Sequence, residues 1–134
     1  MTNLNSSAPH IHEASHYSDL VDWGPQVDAL SHPNGAKSHS SGRLIWKSPE
    51  RQSEAGLWVC TPGRWRLAVP RDEFLWVLAG KATYIGDAGD EVTLGPRDGV
   101  LFPAGWQGEA TVHKTLRASY ILSASELMES TPQV

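Results

Sequence analysis

From residue 42 onward, short runs of β-forming residues alternate with clusters of turn residues, and this alternation restricts the fold more than any other feature. Such spacing is typical of an all-β sandwich or barrel. The cluster Gly86–Asp90 is a strong hairpin signal, because Gly and Asp tolerate the positive φ that tight hairpins require. The predicted strands are Arg43–Lys47, Gly56–Cys60, Arg64–Val69, Glu73–Ala79, Ala82–Ile85, Glu91–Leu94, Gly99–Phe102, Glu109–His113 and Thr115–Leu122. With no long helical period and no internal repeat, the pattern predicts a single barrel.

The residues before this region lack core-forming patterns, and we interpret 1–41 as an extended N-terminal arm, 42–123 as the barrel and 124–134 as a C-terminal tail. A single helical turn is predicted over Ser125–Ser130. The arm holds five of the six histidines, namely His10, His12, His16, His32 and His39. The spacing of the first three could suit a metal ion, but solvated histidines on a polar arm are the favoured interpretation.

Composition narrows the functional classes. A chain of 134 residues with net charge −4 and pI about 5.8 fits one domain and lacks the basic excess of a nucleic-acid-binding protein. No window approaches a membrane span, and the first residues do not resemble a signal peptide. The single cysteine, Cys60, favours a reducing compartment, so we expect a cytoplasmic protein. Because a small barrel buries a modest share of its surface, we also expect a homodimer.

Two segments carry a specific resemblance. Val69–Gly80 resembles the first cupin motif, G-x5-H-x-H-x3–4-E-x6-G, with Glu73 and Gly80 at the required separation. Arg97–Gly105 resembles the second motif, G-x5-P-x-G-x2-H-x3-N, with Pro103 and Gly105 in register and Arg97 in place of the first glycine. Two such motifs in order, on predicted strands, imply a cupin jelly-roll β-barrel (a double-stranded β-helix).

At the positions where cupins carry metal-binding residues, this chain mostly has other residues. The motif histidines fall on Leu67, Val69 and Gly108, and Glu73 alone keeps a side chain that can bind a metal. A divalent metal usually needs three or four protein ligands, with imidazole prominent among them. We therefore expect no metal cofactor, with manganese or zinc disfavoured.

The similarity is closest to one branch of single-domain cupins. Gly56–Trp65, Phe102–Gly105 and Arg117 resemble ureidoglycine aminohydrolase-like and ethanolamine-utilization-like cupins of the DUF861 type. The resemblance covers about residues 42–122 and implies a small-metabolite context. The ureidoglycine enzymes use manganese, for which this chain lacks the histidines.

Period-2 alternation predicts what faces the barrel interior. Leu67, Val69, Glu73, Leu75 and Val77 would point inward, as would Ala82, Tyr84 and the apolar face Leu116, Ala118, Tyr120, Leu122. An apolar lining with a few polar groups is typical of a small-ligand pocket. The predicted ligand-binding residues are Glu73, Tyr84, Tyr120, Trp58 and Trp65.

Glu73 is the candidate catalytic residue. Burial among Leu and Val disfavours its charged form and raises its pKa toward the range of acid or base catalysis. The alternative is a structural carboxylate satisfied by Arg, Tyr or backbone groups.

The aromatic and basic residues have alternatives as well. Trp76 and Trp106 could stack on a ligand, and Trp23 and Trp46 could clamp the arm or a dimer interface, although packing is favoured for any single Trp. Arg64, Arg66 and Arg71 could attract a carboxylate, or pair with Asp72 and Glu54 on a solvated face.

Cys60 is expected to be a buried small hydrophobe. His113 should point outward, unless a bulge turns it inward to ligate a metal with Glu73 and Gln107.

Three functions remain open from the sequence. One is a metal-independent barrel that binds a small amine, ureide or carboxylate, with Glu73 available to act on it as an acid or base. A second is a non-catalytic accessory or sensor domain that binds a metabolite. A third is a ureidoglycine aminohydrolase-like, metal-dependent hydrolase with atypical ligands.

Overall fold

The computed structural model describes residues 8–13, 17–49 and 53–123. These residues form β-strands and no α-helix, which confirms the all-β prediction. No helix in this part of the chain is long and apolar enough to cross a membrane. The strands are β1 Val21–Pro25, β2 Ala29–Leu30, β3 His39–Lys47, β4 Glu54–Cys60, β5 Gly63–Ala68, β6 Glu73–Gly86, β7 Glu91–Leu94, β8 Gly99–Phe102 and β9 Gln107–Leu122.

The two longest strands, β6 and β9, organise the sheet. They pair antiparallel with each other from Glu73↔Leu122 to Gly86↔Gly108. The first part of β9 also pairs with β5, and its later part pairs with β4, in the order β1-β3-β4-β9-β5-β2. On its other edge β6 pairs with β7 and β8. All pairs are antiparallel, and the sheet curls around one interior.

Strand β6 runs without interruption through the predicted turn between Ala79 and Ala82. The register shifts between Val77 and Ala82 instead, so the long ribbon bends by bulging and does not end. Gly80 makes the bend feasible: its φ is +96°, and a Cβ there would lie 2.1 Å from the carbonyl oxygen of Thr115. The predicted break between His113 and Thr115 is likewise absent, because β9 follows the same bend.

Two tight turns flank β8, and both place a residue with positive φ third. In Gly95–Asp98 the Asp98 N–H donates to the Gly95 carbonyl (3.1 Å) and Arg97 has φ +74°. In Pro103–Trp106 the Trp106 N–H donates to the Pro103 carbonyl (3.0 Å) and Gly105 has φ +93°. This is the form of a type II turn, which favours glycine at that position. Arg97 thus adopts the conformation that the motif's glycine supplies.

The sheet contains strands before Arg43, where the residue pattern predicts none, and this prediction was wrong. β1 pairs with β3, β2 pairs with β5, and β3 begins at His39. Strands this short, with Gly and Pro inside β1, carry almost no period-2 signal. The predicted helical turn over 125–130 lies outside the described residues, as does His16.

The predicted alternation along β6 and β9 is confirmed. The buried hydrophobic residues of the interior are Cys60, Trp65, Val69, Leu75, Val77, Ala82, Tyr84, Leu94, Phe102, Ala110, Val112, Leu116, Ala118 and Tyr120. Lys81 and His113 are exposed, and the His113 ring bonds to the Thr83 hydroxyl (2.8 Å), so no bulge turns it toward Glu73. Cys60 is fully buried, as predicted, and burial raises the pKa of its thiol to about 11.

Candidate functional site

The site is built from cross-strand rows at one end of the barrel. Residues that face each other on neighbouring strands project to the same side of a sheet. At the end of the ribbon, Leu122 of β9 pairs with Glu54 of β4 on one side and with Glu73 of β6 on the other. We call this end, with the next row Gly56, Tyr120 and Leu75, the open end.

Glycines in β3 and β4 leave room for large aromatic side chains. A Cβ on Gly56 would lie 2.7 Å from the Tyr120 hydroxyl, so the Tyr120 ring extends over that glycine. A Cβ on Gly42 would lie 2.2 Å from the ring of Trp23, which therefore packs against the strand. Trp23 and Tyr120 meet edge to face with ring centroids 6.4 Å apart.

Two adjoining cavities result. The outer cavity has a volume of about 440 Å³ and is lined by Trp23, Leu44, Glu54, Trp58, Glu73, Leu75, Tyr120 and Leu122. The inner cavity has a volume of about 190 Å³ and is lined by Gln26, Trp58, Trp65, Leu67, Glu73, Leu75, Tyr84 and Phe102. Glu73, Trp58 and Leu75 belong to both linings, so Glu73 lies where the two cavities meet.

Glu73 is a carboxyl group in an apolar setting. Burial raises its pKa to about 7, and the nearby Arg71 guanidinium opposes the shift only in part. Among the described residues none donates a hydrogen bond to its carboxylate. In this part of the chain the carboxylate is thus stabilised by the charge of Arg71 but not by hydrogen bonds from Tyr, Arg or backbone groups. An acid with a pKa near neutrality can both donate and accept a proton at physiological pH.

Two tyrosine hydroxyls extend the polar part of the lining. Tyr84 is buried, and in the described part of the chain its hydroxyl has no hydrogen-bond partner. Burial, together with the nearby Glu73 and Cys60, raises its pKa. Burial also raises the pKa of Tyr120 to about 12, with Glu54 and Glu73 adding to the effect. Both hydroxyls stay neutral and can donate or accept hydrogen bonds.

Glu54 differs from Glu73 because it has a charged partner. The Arg71 guanidinium lies 3.4 Å from its carboxylate, and another nitrogen of the same guanidinium donates to the Ser123 carbonyl (3.1 Å). Of the two carboxylates offered as partners for the three arginines, Glu54 pairs with Arg71. The Asp72 carboxylate instead accepts from the Ala104 N–H (2.8 Å).

The other two arginines of the predicted cluster do not join a common site. Arg64 pairs with Glu109 (2.6 Å) and Arg66 pairs with Asp87 (2.7 Å). Their charges are matched along the strands and not assembled for a ligand.

All five predicted ligand-binding residues line the cavities: Glu73 and Trp58 line both, Tyr120 the outer one, and Trp65 and Tyr84 the inner one. Whether they bind a ligand stays a prediction. Trp76 is exposed and lines neither cavity. Trp106 packs on Phe102 and donates to Asp90 (3.0 Å), so its role is structural.

Five lining residues were not predicted from the sequence, namely Trp23, Gln26, Leu44, Glu54 and Phe102. Glu54 could have been found by counting back in steps of two from Trp58 through Gly56. Trp23 and Gln26 could not, because they reach the cavities from the segment that was taken for an arm.

Three of the four residues at the cupin metal positions cannot ligate a metal ion, and Glu73 alone does not make a site. Leu67 and Gly108 face each other in the β5–β9 pair, and Val69 is buried, so hydrocarbon and a bare backbone occupy the region. Among the described residues, no three His, Cys, Asp or Glu side chains converge.

Several solved structures resemble this fold. A DUF861-family protein of unknown function from Pseudomonas syringae superposes with a TM-score of 0.69 at 16% identity, covering 78% of this chain and 44% of that protein. This chain thus spans less than half of that relative. The Clostridium difficile EutQ protein superposes with a TM-score of 0.58 at 18% identity, covering 72% of this chain and 76% of that one. An ethanolamine utilization protein Q from Salmonella typhimurium gives 0.53 at 15% identity, covering 75% and 96%.

These likenesses and the curled antiparallel sheet define a cupin jelly-roll barrel. Among curated proteins, none matches this sequence. The family model for the EutQ-like cupin domain matches residues 47–120, more than half of the chain. The chain belongs to the EutQ-like cupin family.

Proposed function

We propose that this protein binds a small polar metabolite at the open end of its barrel, with Glu73 as the group that anchors the ligand and exchanges a proton with it. The observation that carries the proposal is the position of Glu73, where the two cavities meet. A partly buried carboxyl group that receives no hydrogen bond from the described residues is costly unless something uses it. A bound ligand would supply the missing partner.

The size and chemistry of the cavities support a small ligand. An outer volume of about 440 Å³ lies within the range of sites for small molecules. Trp58 is held in place because its indole N–H donates to the buried Ser40 hydroxyl (3.0 Å), which gives the cavity a rigid aromatic wall. The proposal requires no metal, since Glu73 is the one side chain at the four cupin metal positions that can act as a ligand.

The test compares wild-type protein with Glu73→Gln and the matched control Glu91→Gln, an exposed glutamate of β7. A panel of small amines, ureides and carboxylates is titrated by calorimetry, and product formation is followed by mass spectrometry. The ureides test the similarity to ureidoglycine aminohydrolase-like cupins. We expect at least one compound to bind wild type and Glu91→Gln alike, and Glu73→Gln at least tenfold more weakly.

The outcomes separate the alternatives. Turnover by wild type that Glu73→Gln abolishes supports an enzyme, whereas binding without turnover supports an accessory or sensor domain. Equal binding by wild type and Glu73→Gln would overturn the role of Glu73. Stoichiometric metal in freshly purified protein, with activity lost to a chelator, would support the metal-dependent hydrolase instead.

The proposal includes a homodimer in the cytoplasm. The outer face of β6, β8 and β9 presents neighbouring exposed side chains, with Phe74 paired to both Leu101 and Ile121 and Trp76 one row further on. A contiguous apolar face of this kind is typical of an interface. Sedimentation should give a dimer that Trp76→Glu converts to monomer; a monomeric wild type would contradict this part.

A further inference from the structure

Among the described residues, the charged groups that line the outer cavity are all of one sign. They are the carboxylates of Glu54 and Glu73, and no basic side chain from this part of the chain lines the cavity. Arg71 lies close by but lines neither cavity, and its guanidinium is engaged by Glu54 and by the Ser123 carbonyl. A ligand in this cavity therefore meets a carboxyl group on each of two sides.

The two carboxylates flank a common centre. Glu54 and Glu73 are cross-strand partners of the same residue, Leu122, on opposite sides of β9. Two interstrand spacings put their backbones roughly 10 Å apart. Their side chains project from the same face of the sheet, so a small group above Leu122 lies between them.

Aromatic side chains complete the cavity wall. Trp23, Trp58 and Tyr120 all line it, and they come from three different strands, β1, β4 and β9. The electron-rich faces of such rings attract cations, most strongly when the site is shielded from water. A cavity lined by carboxylates and aromatic rings therefore favours the binding of organic cations.

We propose that the ligand is a small organic amine, bound as its ammonium ion between the Glu54 and Glu73 carboxylates and against the walls formed by Trp23, Trp58 and Tyr120. This inference rests on the proposed function and names its ligand class. The ammonium N–H groups donate charge-assisted hydrogen bonds to Glu73, which lacks a donor in the described part of the chain. A carboxylate ligand would meet two like charges, and a neutral ureide would gain no Coulomb attraction.

Binding of an ammonium ion should be linked to the ionisation of Glu73. Burial raises the pKa of this carboxyl to about 7, and the Arg71 guanidinium opposes the shift. The neighbouring titratable groups are Tyr84 and Tyr120, whose pKa values Glu73 helps to raise, and Glu54, which lines the same cavity. Only the ionised form attracts the cation. The apparent affinity should therefore fall about fivefold from pH 7 to pH 6, in proportion to the ionised fraction, and binding should release a proton.

The experiment uses three compounds of nearly equal shape: n-butylamine, n-butanol and butyrate. Calorimetric titration at pH 8 should show butylamine binding at least tenfold more tightly than butanol, with butyrate not detected. Glu73→Gln and Glu54→Gln should each weaken butylamine at least tenfold, and Glu91→Gln should not. Thermal melts establish that each variant is folded, and the wild-type pH profile from 6 to 8 tests the inference without any variant.

Failure of the amine inference and failure of the proposed binding function give different results. If butanol or butyrate binds as well as butylamine, or only ureides or carboxylates of the wider panel bind, the amine inference is overturned and the binding function survives. If no compound of either set binds, both fail. An affinity for butylamine that does not change between pH 6 and pH 8 would also overturn it, because the linkage to Glu73 would be absent.

Discussion

The two halves of the β6–β9 ribbon share one continuous backbone pairing but differ in the burial and polarity of their inward-facing side chains. In the packed half, where β9 also pairs with β5, the inward row Trp65, Ala110 and Tyr84 is buried throughout. At the open end, where β9 pairs with β4, the row Glu54, Leu122 and Glu73 is only partly buried and borders the outer cavity.

This difference shows how a barrel of this size leaves room for a ligand site. Both halves use the same antiparallel pairing, so backbone hydrogen bonding does not distinguish them. What differs is side-chain volume across the rows: Gly42 and Gly56 at the open end leave space that Trp23 and Tyr120 enter only in part. The packed half contributes stability, whereas the polar groups at the open end reduce stability.

The largest expected effect contrasts one leucine from the buried interior with one from the open end. Leu116 is fully buried, and Leu116→Ala should lower the free energy of unfolding by about 3 to 4 kcal/mol, because it creates a cavity in close-packed surroundings. Leu122 already borders a cavity, so Leu122→Ala should cost about 1 kcal/mol. Urea denaturation measures both; equal losses would remove the distinction between the two regions.

The next effect concerns the pH dependence that Glu73 brings to the open end. Its pKa of about 7 in the folded protein exceeds the ordinary value of 4.5, so the folded state holds the proton more tightly than the unfolded state. The contribution of Glu73 to stability should therefore fall as pH rises from about 4.5 to about 7 and then level off.

The substitution Glu73→Gln removes the titrating carboxyl group and with it this pH-dependent contribution to stability. Above pH 7 the variant should be more stable than wild type by about 2 to 3 kcal/mol, and the gap should close near pH 4.5. Denaturation at several pH values measures the difference, in which the other titrating groups cancel. A constant gap across this range would contradict the raised pKa.

A smaller effect is expected from the hydroxyl of Tyr84 in the packed half. Since this buried hydroxyl has no partner in the described part of the chain, Tyr84→Phe should raise the free energy of unfolding by about 1 kcal/mol. A thermal melt in the absence of ligand measures the change. Destabilisation would instead indicate that the inner cavity holds a water or ligand bonded to Tyr84, making it part of the site.

The smallest effect compares the two turns around β8. Arg97→Gly should stabilise the protein by at most about 1 kcal/mol, because relief of the left-handed conformation is partly offset by the greater freedom of glycine in the unfolded chain. Gly105→Ala, at the matching position of the other turn, should destabilise by about 1 kcal/mol. Opposite signs in parallel thermal melts confirm the assignment of both turns.

Much of the barrel could be predicted from residue patterns, for identifiable reasons. The inward set Leu75, Val77, Ala82 and Tyr84 follows from period-2 alternation, because the pleat forces neighbouring side chains to opposite faces. The alternation shifts by one residue between Val77 and Ala82, although the strand continues where the turn was predicted. Register shifts within a long bent strand leave no signature in composition, so the continuity of β6 was beyond sequence reasoning.

The site was predictable only in part. Glu73 stood out because a carboxylate in an apolar run is costly to bury. Its partners were harder to identify: Glu54 lies 19 positions earlier on a different strand, and only the pairing of both strands with Leu122 brings the two carboxylates to one cavity.

By itself, the sequence determined the all-β class, the inward and outward faces of the long strands, and the loss of the histidines at Leu67, Val69 and Gly108, since these follow from local periodicity and residue identity. The tertiary structure decided that Trp23 and Gln26 complete the cavities, that Arg71 pairs with Glu54, and that Glu54 and Glu73 line one cavity. The reason is physical: burial and charge pairing depend on which strands become neighbours, and β4, β6 and β9 are brought together by long-range pairing that no local stretch of residues encodes.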